Sequence, residues 1–484
     1  MDDDVDVIVV GAGFAGIGMA ASALRAGFSA LVLEKAWDVG GVWRDNTYPG
    51  AACDVPSSLY SFSFAPEPGW PRRYSGQADI HAYLRRVAAE TGVLPRVRFG
   101  AEVVSADYDE SAARWRITLA DGREHVARFL VTAVGQLSRP AVPDLPGAAD
   151  YPGRVFHSSR WDHDLDLTGL RVAVVGAGAS AIQFVPEIRR VAARVTVFQR
   201  TPPHVIPKPD RAYTRWHTAL YRAFPPAQAV GRATTWVAGE FLTAAITAVP
   251  AFGKAVEAAF HLHLRRQVAD PALRAALVPD HPVGCQRVLF SNTWYPALTS
   301  DNVDLVTSPA AGFTSRGLRS ADGVEHPVDV VVHGTGFAAT EFLVPVAVRG
   351  RGGALLADRW RDGARAHLGL TVPGFPNLFV LYGPNTNLGG NSVLQMVEPQ
   401  VGYVTTLLER MRAHGLSSAE VRPEVADAFD REVQDRLGRT AWARCRSWYR
   451  VESGRIVSNW PGQVWEYRRR TARPDPRHFR FTRP

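Results

Sequence analysis

Two regions of the chain show the same order of apolar and polar positions. Residues 5–27, VDVIVVGAGFAGIGMAASALRAG, begin with an apolar β-branched run, pass through closely spaced glycines and continue with small residues. A second apolar run follows at 29–35. Residues 170–190 and 194–200 repeat this order about 165 residues later. Each region predicts a strand, a glycine-rich turn, a helix and a second strand of a doubly wound parallel sheet.

The rest of the chain adds a helical segment and further strands. Between residues 205 and 280, prolines separate amphipathic stretches, which predicts a helical insertion. DVVVHGTGF and NLFVLYGPNTN predict strands that end in glycine-rich turns, and we expect them to return the chain to the first domain. The predicted domains are a first domain at 1–145, a second domain at 146–335 that carries the insertion, and a return to the first domain with a C-terminal loop at 336–484.

The first glycine motif is Gly11-Ala12-Gly13-Phe14-Ala15-Gly16. Its first glycine permits a tight turn, its second lets the backbone approach a pyrophosphate, and its third allows close packing of helix on strand. Glu34 ends the next strand, where a carboxylate accepts hydrogen bonds from ribose hydroxyls. The order of strand, glycine turn, helix, second strand and acid predicts a dinucleotide site, which we assign to FAD. The alternative is a purely structural glycine turn.

The second motif is Gly176-Ala177-Gly178-Ala179-Ser180-Ala181, with alanine at the third glycine position. The next strand ends in Gln199-Arg200-Thr201, with no acid at the position that Glu34 takes in the first unit. A cation and a hydroxyl suit a ribose that carries a 2′-phosphate, which favours NADPH. The alternative is that Arg200 is an ordinary surface arginine. We therefore expect an α/β fold with two dinucleotide-binding, Rossmann-like domains and hydride transfer from NADPH to a flavin.

Composition and charge argue against other classes of protein. The net charge is +8, from 55 Lys and Arg against 47 Asp and Glu, but the basic residues are scattered, so we expect no nucleic acid partner. The longest apolar region, about 227–249, contains Arg232 and Glu240, so we expect no membrane span. Three cysteines without a CxxC pair argue against zinc or disulfide exchange. With an acidic N-terminus, they predict a cytoplasmic protein.

Residues 40–54, GGVWRDNTYPGAACD, are too polar and broken for a core strand or a helix. They fill the pattern Ala/Gly-Gly-x-Trp, four residues, Phe/Tyr-Pro-Gly/Met, three residues, Asp, with Gly40, Gly41, Trp43, Tyr48, Pro49, Gly50 and Asp54. A second pattern, Phe-x-Gly-x3-His-x3-Trp-Pro/Asp, is matched by Gly153, His157, Trp161 and Asp162, with Tyr151 in place of the leading Phe. On these motifs the chain resembles type I Baeyer–Villiger monooxygenases of the class B flavoprotein monooxygenases, over essentially its whole length.

The resemblance implies a reaction. NADPH reduces FAD, O2 adds to the flavin to give a flavin peroxide, and the peroxide converts a ketone to an ester or lactone, with some sulfoxidation. Related flavin monooxygenases that oxygenate nitrogen or sulfur share the glycine motifs but typically lack the first pattern. An N-hydroxylase or S-oxygenase is therefore the alternative, followed by a flavin reductase or electron carrier. The ketone's identity and the oligomeric state are left open by the sequence.

The resemblance also implies catalytic residues. Arg287 matches the family's arginine, which supplies a cation beside the peroxide. Gln286 stands where the family usually has a lysine that helps hold the 2′-phosphate, and Lys208 and Arg211 are candidates to take over that role. Asp54 matches the acid that pairs with the arginine. The alternative for Asp54 is a turn cap, because aspartate favours turns.

Further residues follow from the resemblance as cofactor contacts. Val103 matches an adenine contact, Ala52 and Cys53 adjoin the nicotinamide, and Val393 begins a helix beneath the flavin. Trp448 matches a tryptophan on a mobile loop that closes over the substrate. For the aromatic residues, plain core packing is the alternative. The predicted cofactor-binding residues are Gly11, Gly13, Phe14, Ala15, Gly16, Glu34, Gly41, Val42, Trp43, Ala52, Cys53, Asp54, Tyr60, Val103, Gly176, Gly178, Ala179, Ser180, Ala181, Arg200, Thr201, Gln286, Arg287 and Val393.

Overall fold

The structure is a computed structural model and describes residues 4–247, 250–445 and 449–483. Within these ranges the β-strands, in chain order, are β1 Asp4–Val10, β2 Ala30–Leu33, β3 Val97–Arg98, β4 Val103–Asp109, β5 Arg114–Leu119, β6 Glu124–Thr132, β7 Arg154–His157, β8 Arg171–Val175, β9 Arg194–Phe198, β10 Val205–Ile206, β11 Leu289–Phe290, β12 Val303–Val306, β13 Ala310–Thr314, β14 Gly317–Ser320, β15 Glu325–Pro327, β16 Val330–His333, β17 Ala347–Arg349, β18 Leu378–Val380, β19 Ser418–Val421 and β20 Phe479–Thr482.

The α-helices alternate with these strands. In chain order they are α1 Phe14–Arg25, α2 Val42–Asp45, α3 Gln77–Glu90, α4 Ala181–Ile188, α5 Arg215–Ala223, α6 Pro225–Thr247, α7 Pro250–Gln267, α8 Pro271–Ala276, α9 Trp294–Leu298, α10 Leu356–Arg359, α11 Leu394–Ala413, α12 Pro423–Leu437 and α13 Val464–Arg470. Short 3-10 turns lie at Leu94–Arg96, Ala148–Asp150, Ser158–Arg160, Arg351–Gly353, Ala441–Arg444 and Pro476–His478. In the part of the chain described, no helix is long and apolar enough to cross a bilayer.

The first sheet is built around β1, whose apolar run is buried. β1 pairs in parallel with β2 and β6, so that Val9 lies opposite Val32 on one side and Val131 on the other. The strand order is β17, β4, β5, β6, β1, β2, β3, and β18 also pairs with β6. Helices α1 and α11 pack together over this sheet and contribute to one apolar core. Strand and helix both follow from the apolar pattern of residues 5–27.

The second sheet is parallel throughout, in the order β12, β9, β8, β16, β7. The strand predicted at DVVVHGTGF is β16, which lies between β7 and β8. Its assignment to the first domain was therefore wrong. Val330, Val331 and Val332 are almost fully buried, and an unbroken β-branched run suits the interior of a parallel sheet covered on both faces. Of the two late strands, only β18 joins the first sheet.

The helices of the insertion lie within the predicted interval, from α5 to α8. The chain enters the insertion after β10 and leaves it before β11, and these two short strands pair in parallel. Helix α7 packs against β10, and α6 reaches the first domain, where Gln228 donates to the carbonyl of Glu67 at 2.8 Å. The insertion thus contacts both halves of the molecule.

Residues 40–54 connect the two halves. Helix α2 begins in this stretch, directly after Gly41, while Tyr48 packs in the core of the second sheet against Phe184 of α4. A Cβ on Gly50 would lie 2.8 Å from the carbonyl oxygen of Gln183, so the backbone approaches α4 closely. This stretch is an interface between the two domains rather than a free surface loop.

Candidate active site

The first glycine turn joins β1 to α1 with a backbone that side chains would obstruct. Gly11 has a φ of +101°, and a Cβ there would lie 2.7 Å from the carbonyl oxygen of Ala133. A Cβ on Gly16 would lie 1.8 Å from the carbonyl oxygen of Gly11. Gly41 approaches Gly13, since a Cβ on Gly41 would be 3.2 Å from the Cα of Gly13. Two glycine segments therefore leave a side-chain-free surface at the N-terminus of α1.

Glu34 ends β2 beside this turn and is held in place. Its carboxylate accepts hydrogen bonds from the backbone N–H of Ala12 at 2.8 Å and of Ala36 at 3.0 Å. Arg44, from α2, donates to the same carboxylate at 3.0 Å, and both side chains of this ion pair are buried. Glu34 was predicted from the sequence. Arg44 was not predicted, because it stands at an undefined position of the family pattern.

The second glycine turn joins β8 to α4. Gly176 has a φ of +107°, and a Cβ there would lie 2.6 Å from the carbonyl oxygen of Gly334. Ala181, at the third glycine position, is fully buried. Arg200 and Thr201 follow β9, with Arg200 exposed to solvent. The turn repeats the backbone geometry of the first but has an exposed cation at the end of its neighbouring strand.

Gln183 of α4 binds residues 40–54 to the second domain. Its side-chain oxygen accepts a hydrogen bond from the Tyr48 hydroxyl at 2.9 Å, and its side-chain nitrogen donates to the carbonyl of Ala52 at 2.9 Å. The sequence analysis missed this contact. Gln183 lies one turn into the helix after the second motif, where no glycine or charge draws attention to it.

The structure brings Asp54 and Arg287 together. Arg287 Nε and Nη2 donate to the two carboxylate oxygens of Asp54, both at 2.9 Å. The negative charge of Asp54 raises the pKa of Arg287, in spite of the opposing effect of burial. Both carboxylate oxygens are engaged by the guanidinium, which favours the pairing over the turn-cap alternative. Arg287 stands two residues before β11, at the base of the insertion.

Three tyrosines lie around this pair. Tyr60 accepts a hydrogen bond from Trp43 Nε1 at 3.1 Å. Tyr382 follows β18 with a φ of +52°, and its hydroxyl donates to Asn387 at 2.7 Å. Burial raises the pKa of Tyr449 to about 12, although the positive charge of Arg287 acts in the opposite direction. Tyr382 and Tyr449 were missed, because neither stands at a defined position of the motifs.

Cys285 and Cys445 form a disulfide with a Cα–Cα distance of 5.9 Å. This pairing was not predicted from the sequence, where the cysteine count only argued against zinc and disulfide exchange and for a reducing compartment. A separation of 160 residues gives no sequence signal for the pairing. The cross-link joins the segment before Arg287 to the C-terminal segment. Trp448, predicted to lie on a mobile loop, falls outside the described residues.

The two cations expected to replace the missing lysine, Lys208 and Arg211, each lie near a tyrosine ring. Lys208 Nζ lies 4.9 Å from the ring centre of Tyr74, and burial lowers its pKa. Arg211 is exposed, with its guanidinium over the ring of Tyr213. Gln286 lines the cavity itself. Within the described residues, Lys208 and Arg211 are not part of the cavity lining, so their role in place of the lysine stays a prediction.

His157 links strand and loop within the second domain. One ring nitrogen lies 2.9 Å from Ser159 Oγ and the other 3.0 Å from the carbonyl oxygen of Gly336. Burial lowers its pKa. These contacts are those of a structural histidine.

A cavity of about 1230 Å³ connects these features. It is lined by residues of both glycine turns, by Asp54 and Arg287, and by Tyr382 and Tyr449. Among the predicted cofactor-binding residues, all but Gly16 and Ala181 line it. Those two lie behind the turns, where the third motif position packs helix against strand. Val393 lies at the N-terminus of α11, at the cavity wall.

Known proteins are similar to this chain over its full length. A family model described as pyridine nucleotide-disulphide oxidoreductase matches residues 8–215, which hold both glycine motifs. A Baeyer–Villiger monooxygenase of Streptomyces coelicolor is 45% identical over 486 residues, covering 100% of this chain and 93% of the relative. Another, of Pseudomonas aeruginosa, is 40% identical and covers 98% of this chain and 91% of the relative.

Solved structures match the fold equally closely. An oxidized steroid monooxygenase bound to NADP matches with a TM-score of 0.89 at 31% identity, over 99% of this chain and 100% of that chain. The closed structure of cyclohexanone monooxygenase gives a TM-score of 0.89 at 26% identity, over 99% of both chains. A structure of OTEMO in complex with FAD and NADP gives 0.88 at 28% identity, again over 99% of both chains.

Proposed function

The chain belongs to the Baeyer–Villiger monooxygenase family, and we propose that Arg287 and Asp54 carry the chemistry of its active site. Identities of 45% and 40% with named members over nearly the whole chain confirm the family that residues 40–54 indicated. The predicted α/β fold class is confirmed by the matching structures. The protein is an NADPH- and O2-dependent flavoprotein monooxygenase that converts a ketone to an ester or lactone, and its cofactors are FAD and NADPH.

The first glycine turn fits the pyrophosphate of FAD. Gly11, Gly13 and Gly41 leave room for phosphate oxygens against the backbone, and the N–H groups that begin α1 face the same surface. Glu34 offers carboxylate oxygens to ribose hydroxyls, although it already accepts from Ala12 and Arg44. We assign this turn to FAD on the chemistry of these groups.

The second glycine turn fits NADPH. Gly176 and Gly178 keep side chains away from the backbone of the turn, and Ser180 adds a hydroxyl at the start of α4. Arg200 and Thr201 line the same cavity and suit a 2′-phosphate by charge and by hydrogen bonding. Gln286 also lines the cavity. It is an uncharged hydrogen-bond donor at the sequence position where the family usually has a lysine.

Bound FAD, reduced by NADPH, supplies the electrons that activate O2 for attack on a ketone carbonyl. Arg287 holds a fixed positive charge at the cavity wall, where negative charge on oxygen is stabilised. At about 4 Å, with an effective dielectric constant of about 20, such a charge contributes about 4 kcal/mol. This is enough to change a rate about a thousandfold if the charge develops in the transition state.

Asp54 orients the arginine. The pair uses Nε and Nη2 of Arg287, so Nη1 carries donors that lie outside the pair. A bidentate carboxylate restricts rotation of the guanidinium and keeps its positive charge in one place. One observation carries this assignment: a bidentate carboxylate–guanidinium pair lines the same cavity as both glycine turns.

Replacing Arg287 with alanine tests the proposal. We expect the Arg287→Ala variant to keep oxidising NADPH in air but to lose ester formation by about a thousandfold. Arg361→Ala, at an exposed arginine paired with Asp358 on the surface, is the control and should retain both activities. Ester formation at the wild-type rate by Arg287→Ala would refute the role of this residue.

Product analysis separates ketone oxidation from oxygenation of nitrogen. A ketone, a sulfide and an amine are supplied side by side with NADPH and O2. We expect ester or lactone from the ketone and a smaller yield of sulfoxide, and no hydroxylated amine. A panel of cyclic, linear and aryl ketones then defines the substrate. Amine hydroxylation without ester formation would contradict the proposed reaction.

We also propose that the enzyme works in the cytoplasm. The low cysteine count supports this location. Cys285, one of the two cysteines of the disulfide, is almost completely buried, which restricts the access of soluble reductants to its sulfur. Cell fractionation checks the proposal, and recovery with secreted rather than cytoplasmic marker proteins would contradict it.

A further inference from the structure

Helix α6 turns its charged residues towards the protein. Arg232 donates to the carbonyl oxygens of Ser58 and Ser61 at 3.1 and 2.9 Å. Glu240 accepts from the backbone N–H of Val464 at 3.1 Å and from Asn391 at 3.0 Å. Within residues 225–247 these are the two charged side chains, and both are used in contacts with the first domain. An ordinary surface helix buries its apolar face and exposes its charged residues, and α6 does the opposite.

The opposite face of α6 is apolar and exposed. Its solvent-facing positions follow helical spacing and carry no charge: Val230, Ala233, Thr234, Val237, Ala238 and Phe241. Val230 and Phe241 are 63% and 59% exposed. From Val230 to Phe241 the stripe is about 17 Å long at 1.5 Å per residue. Single exposed apolar residues are ordinary, but a continuous stripe of this length marks an interaction surface.

Neighbouring helices extend this surface. The ring of Phe252, on α7, lies 5.8 Å from the ring of Phe241. Helix α5, which packs against α6, exposes Trp216 and Leu220 four residues apart, so these two share one side of the helix. Phe224, which follows the end of α5, is also exposed. Trp216 is 74% exposed. We call the exposed apolar residues of α5, α6 and α7 the insertion patch.

The charges on the helices that carry the insertion patch select its partner. The exposed ionic residues of 215–267 are five cations and one carboxylate: Arg215, Arg222, Lys254, Arg265, Arg266 and Glu257. A symmetric dimer through α6 would bring these cations towards their own copies, which opposes self-association. An apolar helix face with aromatic residues and surrounding cations matches the interface of an anionic lipid surface.

We propose that the insertion patch docks the enzyme on an anionic membrane surface. The outer face of α6 with Phe241 and Phe252 enters the boundary between headgroups and acyl chains, while the cations meet anionic headgroups. The inner face of α6 contacts Asn391, which lines the cavity, so the lipid surface lies one helix away from the active site. A ketone dissolved in the bilayer is thereby concentrated beside the enzyme.

Vesicle flotation tests this docking. The full-length enzyme is mixed with vesicles of phosphatidylcholine alone, or of equal parts phosphatidylcholine and phosphatidylglycerol, at low and at high salt. We expect flotation with the anionic vesicles, weaker binding to phosphatidylcholine alone, and a bound fraction that falls as salt rises. Absence of wild-type flotation with anionic vesicles at low salt would overturn the proposal.

Charged substitutions locate the contact. The double variant Val237→Asp and Phe241→Asp should float at least about tenfold less, because it removes apolar side chains and adds anions at the interface. The control is Val191→Asp, at a residue 49% exposed outside the insertion, which should float like the wild type. Both proteins should oxidise a water-soluble ketone normally, which shows that they are folded. Equal flotation of the double variant and the control would refute the role of α6.

Light scattering distinguishes lipid docking from self-association. We expect the wild type and the double variant to have the same molecular mass in solution. A wild-type dimer that becomes a monomer in the Val237→Asp, Phe241→Asp variant would assign this face to a second copy of the chain instead. That result would overturn the lipid proposal without affecting the proposed reaction, because ester formation is measured separately.

Discussion

The two glycine turns have the same backbone geometry but different surroundings. Gly11 and Gly176 both adopt left-handed backbone conformations, with φ values of +101° and +107°. At the third motif position, Gly16 has no room for a Cβ, whereas Ala181 fits one into the packed interior. The first turn therefore leaves less space at its third motif position than the second turn does.

The strand ends differ more than the turns. Glu34 is buried and accepts hydrogen bonds from Ala12 and Arg44 before any ligand is added. Arg200, at the corresponding strand end of the second domain, is exposed. The two sites therefore share a backbone conformation and differ in the side chain at the strand end, which fits the proposal that this side chain selects the nucleotide. We infer that the first site is preorganised for a cofactor that stays, and the second for one that exchanges.

The largest effect is expected where the first turn has least space. Gly16→Ala places a Cβ 1.8 Å from the carbonyl oxygen of Gly11, and backbone rather than a flexible side chain would have to move. We expect this variant to be purified without flavin, as measured by its absorbance spectrum. Ala181→Gly is the matched change at the second turn and should cost only about 0.5–1 kcal/mol of stability. Wild-type flavin content in Gly16→Ala would contradict this difference between the turns.

A smaller effect is expected from Glu34→Gln. The substitution keeps the shape of the side chain but removes the charge that faces Arg44 and that we propose binds ribose hydroxyls. Hydrogen bonds to charged groups contribute about 1.5–3 kcal/mol, so FAD affinity should fall about 10- to 100-fold. Titration of the apoprotein with FAD, followed by fluorescence, measures this affinity. The control is Glu90→Gln, at an exposed residue of α3, which should bind FAD normally. An unchanged FAD affinity in Glu34→Gln would exclude a contact between Glu34 and the ribose.

Arg200→Ala tests the second strand end. Loss of a charge-assisted contact with the 2′-phosphate should raise the KM for NADPH about tenfold or more. The KM for NADH should hardly change, because NADH carries no 2′-phosphate. Steady-state kinetics with both nucleotides checks this. Arg190→Ala, at an exposed arginine of the same domain, is the control, and equal losses for both nucleotides in Arg200→Ala would refute the assignment.

The smallest effect on cofactor binding is expected when the disulfide between Cys285 and the C-terminal segment is removed. Cys445→Ser breaks the disulfide to Cys285 but leaves both glycine turns intact. We expect unchanged affinity for FAD and NADPH and a melting temperature lower by a few degrees, since a native disulfide contributes about 2–4 kcal/mol. Thiol titration of the denatured wild type should find one thiol before reduction and three after it. Three thiols without reductant would show that the cross-link does not form.

Local patterns predicted much of this architecture. The apolar runs and glycine spacings within residues 5–35 and 170–200 predicted both strand–turn–helix units, because such units depend on nearby residues. The insertion was predicted from its prolines for the same reason. The placement of β16 was wrong, since an isolated buried run such as Val330–Val332 carries no information about which sheet it joins.

Residues defined by distant contacts escaped prediction. Gln183 meets Ala52 across 131 positions, and Cys285 meets Cys445 across 160. Tyr382 reaches the cavity because β18 joins β6 and the backbone then takes a left-handed conformation. No local pattern marks these residues, since the partner that gives each one its role lies elsewhere in the chain.

By itself, the sequence determined the two glycine turns, the nucleotide that suits each strand end, and the family pattern of residues 40–54. These depend on backbone freedom, charge and spacing, all of which are local properties. Only the tertiary structure decided how that stretch is held between the domains by Gln183, and that α6 buries its charges and exposes its apolar face. Such features arise from packing between segments far apart in sequence, where the energy depends on which surfaces meet.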